Sequence, residues 1–294
     1  MPVRMEAEQI RSHFRRIDRS RYPEVSSYSW DEIYGYGDAM APGGLYLAAK
    51  MAASLDIKVG DTVLDLACGR GESSIYLARE FGAQVLAVDL RISATTLGDK
   101  FRARGCKNSI VPLQLDVDRD IPFAEDWFDA IFCMQAFHSF GGSVEFVRYL
   151  LLHLREGGRL CIAGTCFSDE CAPDALPEVY RRTDGWDAEY SRYHSPLWWQ
   201  ELFESCGVVE VLECMELEDG LVMWEDEFLY RGERASWSED WLAKARWLAE
   251  QILYGRDHRP YLTHFIATVE KRPGTSQKRP SQVRPAPYRP VESG

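Results

Sequence analysis

Between residues 63 and 167 the chain repeats one unit: an apolar run rich in β-branched or bulky residues, usually followed by a segment of helical length. The runs are VLDLAC (63–68), QVLAVDL (84–90), IVPLQLDV (110–117), FDAIFCMQ (128–135) and GRLCIAGTCF (158–167). GESSIYLAREFGA (71–83) and SVEFVRYLLLHLREGG (143–158) are among the helical segments between them. Near-continuous apolar strands suit a parallel sheet buried on both faces, and the helices that cover it come from the crossovers. The expected fold class is α/β, a mostly parallel sheet with helices on both sides.

The flanking segments are less regular. A helix is expected over 5–19, with Met5, Ile10, Phe14 and Ile17 on one side. An irregular stretch rich in Tyr and Gly follows over 22–44, then a helix over 44–56. Beyond 167, Ser195 and Pro196 read as the N-cap and first position of a helix over 195–206. A strand is expected at 209–217, a helix at 238–254 and a last strand ending at 270. Residues 168–194 and 218–261 read as irregular, aromatic-rich insertions of the kind that cover substrates. The organisation is then a cap (1–43), a main domain (44–270) carrying both insertions, and a basic, Pro-rich, disordered tail (271–294).

Charge narrows the partners. The net charge is −12, and Lys271, Arg272, Lys278, Arg279, Arg284 and Arg289 against Glu292 give the tail +5, leaving −17 on residues 1–270. Such an acidic body repels a phosphate backbone, so no nucleic-acid partner is expected. The start of the chain has no signal-peptide core, and no window approaches a membrane span, so no membrane partner is expected either. Eight cysteines without any C-x-x-C pair read as reduced, mostly buried thiols, with neither a disulfide framework nor a metal site. The expected compartment is the cytoplasm.

The chemistry is concentrated in TVLDLACGRGES (62–73). An apolar strand ends in Asp65, turns through Gly69 and Gly71 and enters a helix, so backbone amides are exposed to a ligand at the turn. Asp89 ends the next strand, 24 residues on, where an acid accepts hydrogen bonds from ribose hydroxyls. Asp116 closes the third strand in LQLDV. The third glycine of a dinucleotide fingerprint is missing, and Asp65 stands where it would repel a pyrophosphate and attract an ammonium.

At this string the sequence resembles the class I S-adenosylmethionine-dependent methyltransferases, whose first motif is an acid followed by a glycine-rich turn. VLDLACGRG matches it, with Ala67 where a glycine is often found, and the resemblance runs from about 44 to 167 through Asp89, LDV, FDAIFCMQAFHSF and LREGGRL. It implies the Rossmann-like class I fold, a mostly parallel seven-stranded sheet with an inserted lid, and S-adenosylmethionine as cofactor. It also implies roles. Asp65 and the backbone around Ala67, Gly69 and Gly71 would hold the methionine part, and Asp89 the ribose hydroxyls with Leu90 beside the adenine. Asp116 would meet the adenine amino group with Val117 near the ring, and Gln135 would face the methionyl end.

The implied activity is methyl transfer to O, N or C of a small-molecule acceptor. Transfer from a sulfonium is an in-line displacement that needs alignment and exclusion of water, and a base only where the acceptor must lose a proton. His138, three residues past Gln135, is the candidate base. Tyr34 and Tyr36 are candidates to cover the cofactor. Tyr180, Trp186, Tyr190, Tyr193, His194, Trp198, Trp224, Phe228, Tyr230 and Trp237 supply an aromatic lid suited to a partly apolar or cationic acceptor. Two other functions remain open: cofactor-dependent chemistry other than methyl transfer, such as cyclisation, and a non-catalytic cofactor-binding module.

Overall fold

A computed structural model of the chain describes residues 7–275 apart from 39, 41, 120, 182–189 and 259–260. The strands are β1 (Thr62–Leu66), β2 (Gln84–Asp89), β3 (Ile110–Gln114), β4 (Phe128–Met134), β5 (Leu154–Phe167), β6 (Val209–Glu216) and β7 (Leu262–Lys271). They form one sheet in the order β3-β2-β1-β4-β5-β7-β6, parallel throughout except that β7 runs antiparallel between β5 and β6.

Period-two alternation along the central strands divides the core. Val63, Val85, Ala130 and Phe132 face α3 (Gly44–Leu55), α4 (Glu72–Phe81) and α5 (Ala94–Ala103), packing with Met51, Ile75, Leu97 and Phe101. Leu64, Leu66, Val88 and Ile131 face the other side with Phe146, Leu150, Trp199 and Phe203. These belong to α6 (Val144–His153) and α8 (Pro196–Ser205); α7 is the short helix Glu178–Arg181. Each of the larger side chains contributes about 1.5–3 kcal/mol by burial, and Ala130 less. Three of the helices packed on the sheet start on a serine that accepts from a backbone amide one turn in: Ser93 from Thr96, Ser143 from Phe146 and Ser195 from Trp198. Each cap is worth roughly 1 kcal/mol.

Four expectations change. The helix over 143–158 stops at His153, because Leu154 pairs with Phe128 and opens β5, and Gly157 adopts a left-handed turn (φ 70°) that no helix accommodates. The segment 218–261 is mostly helical: α9 (Gly220–Arg234) and α10 (Glu239–Asp257) occupy it. Lys271 ends β7 instead of opening a tail; its ammonium is buried and donates to Asp126 and to the Leu154 carbonyl. β3 ends at Gln114, so Asp116 lies two residues past the strand. The N-terminal helix is described over Ala7–His13, labelled α1, and α2 covers Trp30–Ile33. Trp186 and residues 276–294 lie outside the described residues.

Of three consecutive buried acids on α9, two, Glu225 and Asp226, tie the cap to it, and the third pairs within the helix. Glu225 accepts from the Arg15 backbone and side chain, Asp226 from Arg16, Ile17 and Tyr34, and Glu227 from Arg231. Phe14 packs on Phe228, and Tyr34 on Tyr230, at ring separations of 5.0 and 4.9 Å. Among the described residues, no helix is long and apolar enough to cross a membrane.

Candidate cofactor and acceptor site

The chain leaves β1 through three left-handed residues, Ala67 (φ 58°), Gly69 (φ 54°) and Gly71 (φ 78°). An alanine in that region costs roughly 1–2 kcal/mol, which explains why a glycine commonly stands there. At Gly71 the requirement is also steric: a Cβ would lie 2.5 Å from the Phe101 ring. The turn therefore presses against α5 while its outer side stays open to the cap, where Met40 rests its sulfur 3.0 Å from the position a Gly69 Cβ would take.

Asp89 closes this turn. Its Oδ2 accepts the Gly69 amide at 2.9 Å, and its Oδ1 accepts the amides of Arg91 at 2.8 Å and Ile92 at 2.9 Å. Leu90 beside it is half exposed, an unusual setting for a leucine flanked by polar groups. Asp65 lies behind the turn, fully buried, its Oδ2 accepting from Ser73 at 2.7 Å and Ser74 at 2.6 Å. Burial pushes its carboxyl up to about 6, against the opposing effect of those two hydroxyls. Asp116 is partly exposed and pairs with Arg119 at 3.0 Å. Val117 is buried in the α6 side of the core.

At the end of β4, Gln135 (φ 60°) is a bracket. Its amide nitrogen donates to the Pro42 carbonyl at 2.9 Å, and its Oε1 accepts the Thr165 amide at 2.9 Å and the Thr165 hydroxyl at 3.2 Å. One side chain thus joins the cap, β4 and β5. His138 sits one short turn on, its ring edge-on to Tyr193 at 4.8 Å. Burial, assisted by the charge of Arg192, pushes its imidazole down to about 4, so the ring is neutral at ordinary pH.

The aromatic residues sort into two groups. Tyr180, Tyr190 and Tyr193 cluster with Phe167 and Leu262 beyond the ends of β5 and β7, and His194 stacks on Trp198 at 3.6 Å. Phe228 and Trp237 instead form the hydrophobic contact between α9, α10 and the N-terminal segment, and Tyr230 packs on Tyr34. Tyr34 is buried with its hydroxyl on Asp226, whereas Tyr36 is half exposed with the Arg104 guanidinium over its ring at 4.9 Å. Cys161 and Cys166 are buried on opposite faces of the sheet and Cys171 lies partly exposed beyond it; among the described residues no group of His, Cys, Asp or Glu could hold a metal ion.

The structure therefore brings Asp89 and Leu90, at the end of β2, against the Ala67–Gly71 turn after β1, with Asp65 beneath it; Asp116 follows the neighbouring strand, and Gln135 and His138 follow β4 on the other side. Sequence reasoning missed Ser73, Ser74 and Thr165 as the partners that orient the acids and Gln135. The paired serines in the first turn after GRG were the visible signal; Thr165 had none.

Residues 63–158 match the family described as "Methyltransferase domain". The chain is 31% identical over 137 residues to Methyltransferase GfsG of Streptomyces halstedii, covering 44% of this chain and 49% of that protein. It is 24% identical over 199 residues to Phosphoethanolamine N-methyltransferase 1 of Triticum aestivum, covering 67% of this chain and 38% of that one. The chain thus spans half or less of the length of these curated relatives. Among solved structures the cyclase SpnF shares the fold with a TM-score of 0.64 at 18% identity, over 87% of this chain and 96% of its own. Residues 63–158 thus match a methyltransferase domain, and the seven-stranded sheet is the fold that this solved neighbour shares.

Proposed function

We propose that this protein transfers a methyl group from S-adenosylmethionine to an oxygen, nitrogen or carbon of a small-molecule acceptor. The observation that carries the proposal is the carboxylate of Asp89 fixed by the Gly69 amide at 2.9 Å, which sets an acceptor for paired hydroxyls against a glycine turn. The turn itself fits the group: a left-handed Gly69 leaves its outer side without a side chain of its own, and what faces it there is the flexible Met40 thioether, 3.0 Å from where a Cβ would stand. Asp89 receives the ribose, Leu90 offers an apolar face to the adenine, and Asp116 accepts from its amino group while Val117 supports the loop from the core. The backbone of Ala67, Gly69 and Gly71 holds the methionine part, with the buried Asp65 carboxyl beneath it as the counter-charge for an ammonium. Gln135 holds the end of β4 at the methionyl side.

The cofactor supplies an electrophilic methyl on a sulfonium. A lone pair of the acceptor forms the new bond to that carbon as the carbon–sulfur bond breaks, and its electron pair stays on sulfur, giving S-adenosylhomocysteine. The protein aligns the two and keeps water out. An acceptor hydroxyl or neutral amine passes its proton to neutral His138 as the new bond forms, and the tyrosines around Tyr193 cover the acceptor. A cytoplasmic setting is part of the proposal, supported by eight cysteines that are all free thiols.

The likeness to SpnF, a cyclase by name, favours a second reading in which the same cofactor fold serves a cyclisation. Calorimetry with S-adenosylhomocysteine tests the cofactor: micromolar binding is expected, and no heat and no thermal shift from a folded sample would end the proposal. Product analysis separates the readings. S-adenosylhomocysteine marks methyl transfer, methylthioadenosine marks attack at another carbon, and an acceptor rearranged with the cofactor unconsumed marks the cyclase.

A further inference from the structure

On the outer side of the Gly69–Gly71 turn lies a cavity of about 840 Å³ between the cap residues Gly35–Asp38 and α5. Four cations line it, Arg70, Arg91, Lys100 and Arg104, against two acids, Asp38 and Glu72, a local excess of positive charge in a chain of net charge −12. Both acids are already engaged. Asp38 lies 3.5 Å from Arg70 and 3.9 Å from Lys100, and Glu72 lies 2.6 Å from Lys100 and 3.7 Å from Arg104. Four cations against two acids give the concave wall a formal excess of positive charge, and such a wall can attract an anion.

The rest of the lining says which anion. Guanidinium groups present paired donors that match phosphate oxygens, and the Ser93 and Thr96 hydroxyls, 2.8 Å apart at the start of α5, add neutral donors. The half-exposed Tyr36 ring, with the Arg104 guanidinium over it at 4.9 Å, lines the same wall. The volume suits a whole metabolite and far exceeds a lone ion. None of Asp65, Asp89, Asp116, Gln135 or His138 lines the cavity. We propose that it is a binding site for a phosphorylated small molecule, separate from the cofactor and acceptor positions.

Pyrophosphate is the probe. Calorimetry on the whole protein is expected to show saturable one-to-one binding, weakened at least about tenfold by Arg104→Ala and by Thr96→Glu. Thr96→Glu sets a carboxylate on the exposed wall without removing an ion pair, so it tests the charge even if Arg104→Ala disturbs the cap. S-adenosylhomocysteine is expected to bind alongside pyrophosphate. No binding by the unaltered protein, undiminished binding by both folded variants, or one-for-one displacement by S-adenosylhomocysteine would each overturn the proposal. Failure of S-adenosylhomocysteine to bind while pyrophosphate binds and responds to the variants would sink the methyltransferase reading and leave this site standing.

Discussion

The backbone amide of Gly69 donates to Oδ2 of Asp89 across 2.9 Å, and through this one bond the turn after β1 is registered against the end of β2. The other oxygen holds the amides of Arg91 and Ile92, so the carboxylate is clamped by three donors from two turns. Such a group does not reorganise when a ligand arrives, and the lone pair left on Oδ2 points where the backbone sets it.

Asp89→Ala is accordingly expected to weaken S-adenosylhomocysteine by about 1.5–3 kcal/mol, one to two decades in Kd. Asp89→Asn gives little rescue, because half of an amide is a donor and it would face backbone donors. Calorimetry on both variants checks this, and unchanged affinity would reduce Asp89 to a staple of the turn.

Asp65 carries an opposite cost. Its carboxyl is pushed up to about 6 by burial, above an ordinary value of 3.8, so the folded protein binds the proton more tightly than the unfolded chain. Stability then falls as pH rises between about 4 and 6 and stays lower above it. Asp65→Asn keeps an oxygen for the Ser73 and Ser74 hydroxyls and removes the buried charge. It is expected to gain about 1–3 kcal/mol at pH 7.5 and to lose that advantage below pH 4. The same variant should bind S-adenosylhomocysteine more weakly, a trade of function against stability. Melting curves across pH decide it; an Asn variant less stable than the parent at pH 7.5 would mean that the charge is compensated where it lies.

The parts of the fold visible in the sequence are those dictated by burial on both sides. Val63 to Leu66 must be a central strand because every second residue feeds a different core, and Ser195 with Pro196 announces a helix through purely local chemistry. What escaped depends on contacts distant in sequence. α9 reads poorly as a helix because its buried stripe contains Glu225, Asp226 and Glu227, and the first two make sense only once Arg15, Arg16 and Tyr34 have folded onto them. The strand character of Leu154 likewise comes from pairing with Phe128, which overrides the helical appearance of LLLHLREGG. Within the site, the acids were legible from their spacing, whereas the Gln135–Thr165–Pro42 bracket joins three segments with no shared pattern.

The cap depends on Asp226 more than on its apolar contacts alone. Tyr34 donates to its Oδ2 at 2.6 Å while Arg16 and Ile17 hold the other oxygen, all in a buried setting. Asp226→Ala leaves the buried Tyr34 hydroxyl and the Ile17 amide without their acceptor, while Arg16 keeps Glu233, and is expected to cost about 2–4 kcal/mol, against about 1–2 kcal/mol for Tyr34→Phe. The released segment should become sensitive to limited proteolysis before the sheet melts. If Asp226→Ala resists protease as the parent does, the acids on α9 are not what fastens the cap.

His138 carries the hardest test, because its chemistry and its packing make different demands. Burial and the charge of Arg192 push its imidazole down to about 4, below the ordinary 6.5, so the unfolded chain takes up the proton first as pH falls. The stability associated with the neutral ring is therefore present above pH 6.5 and lost on descending towards pH 4. As a base it is unprotonated through the neutral range but weakly basic, suited to an acceptor whose proton becomes acidic only as the new bond forms. Its acid limb in kcat should then lie near pH 4, well below the 6.5 of an exposed histidine. For a hydroxyl or neutral-amine acceptor, His138→Ala should lower turnover by about 100-fold or more with S-adenosylhomocysteine affinity nearly intact. His138→Asn should fail as badly if proton removal matters and recover much of the rate if the ring only orients the acceptor. A merely packed ring against Tyr193 predicts a lower melting temperature with normal turnover per folded molecule, and that result would return the transfer to alignment by the aromatic cluster.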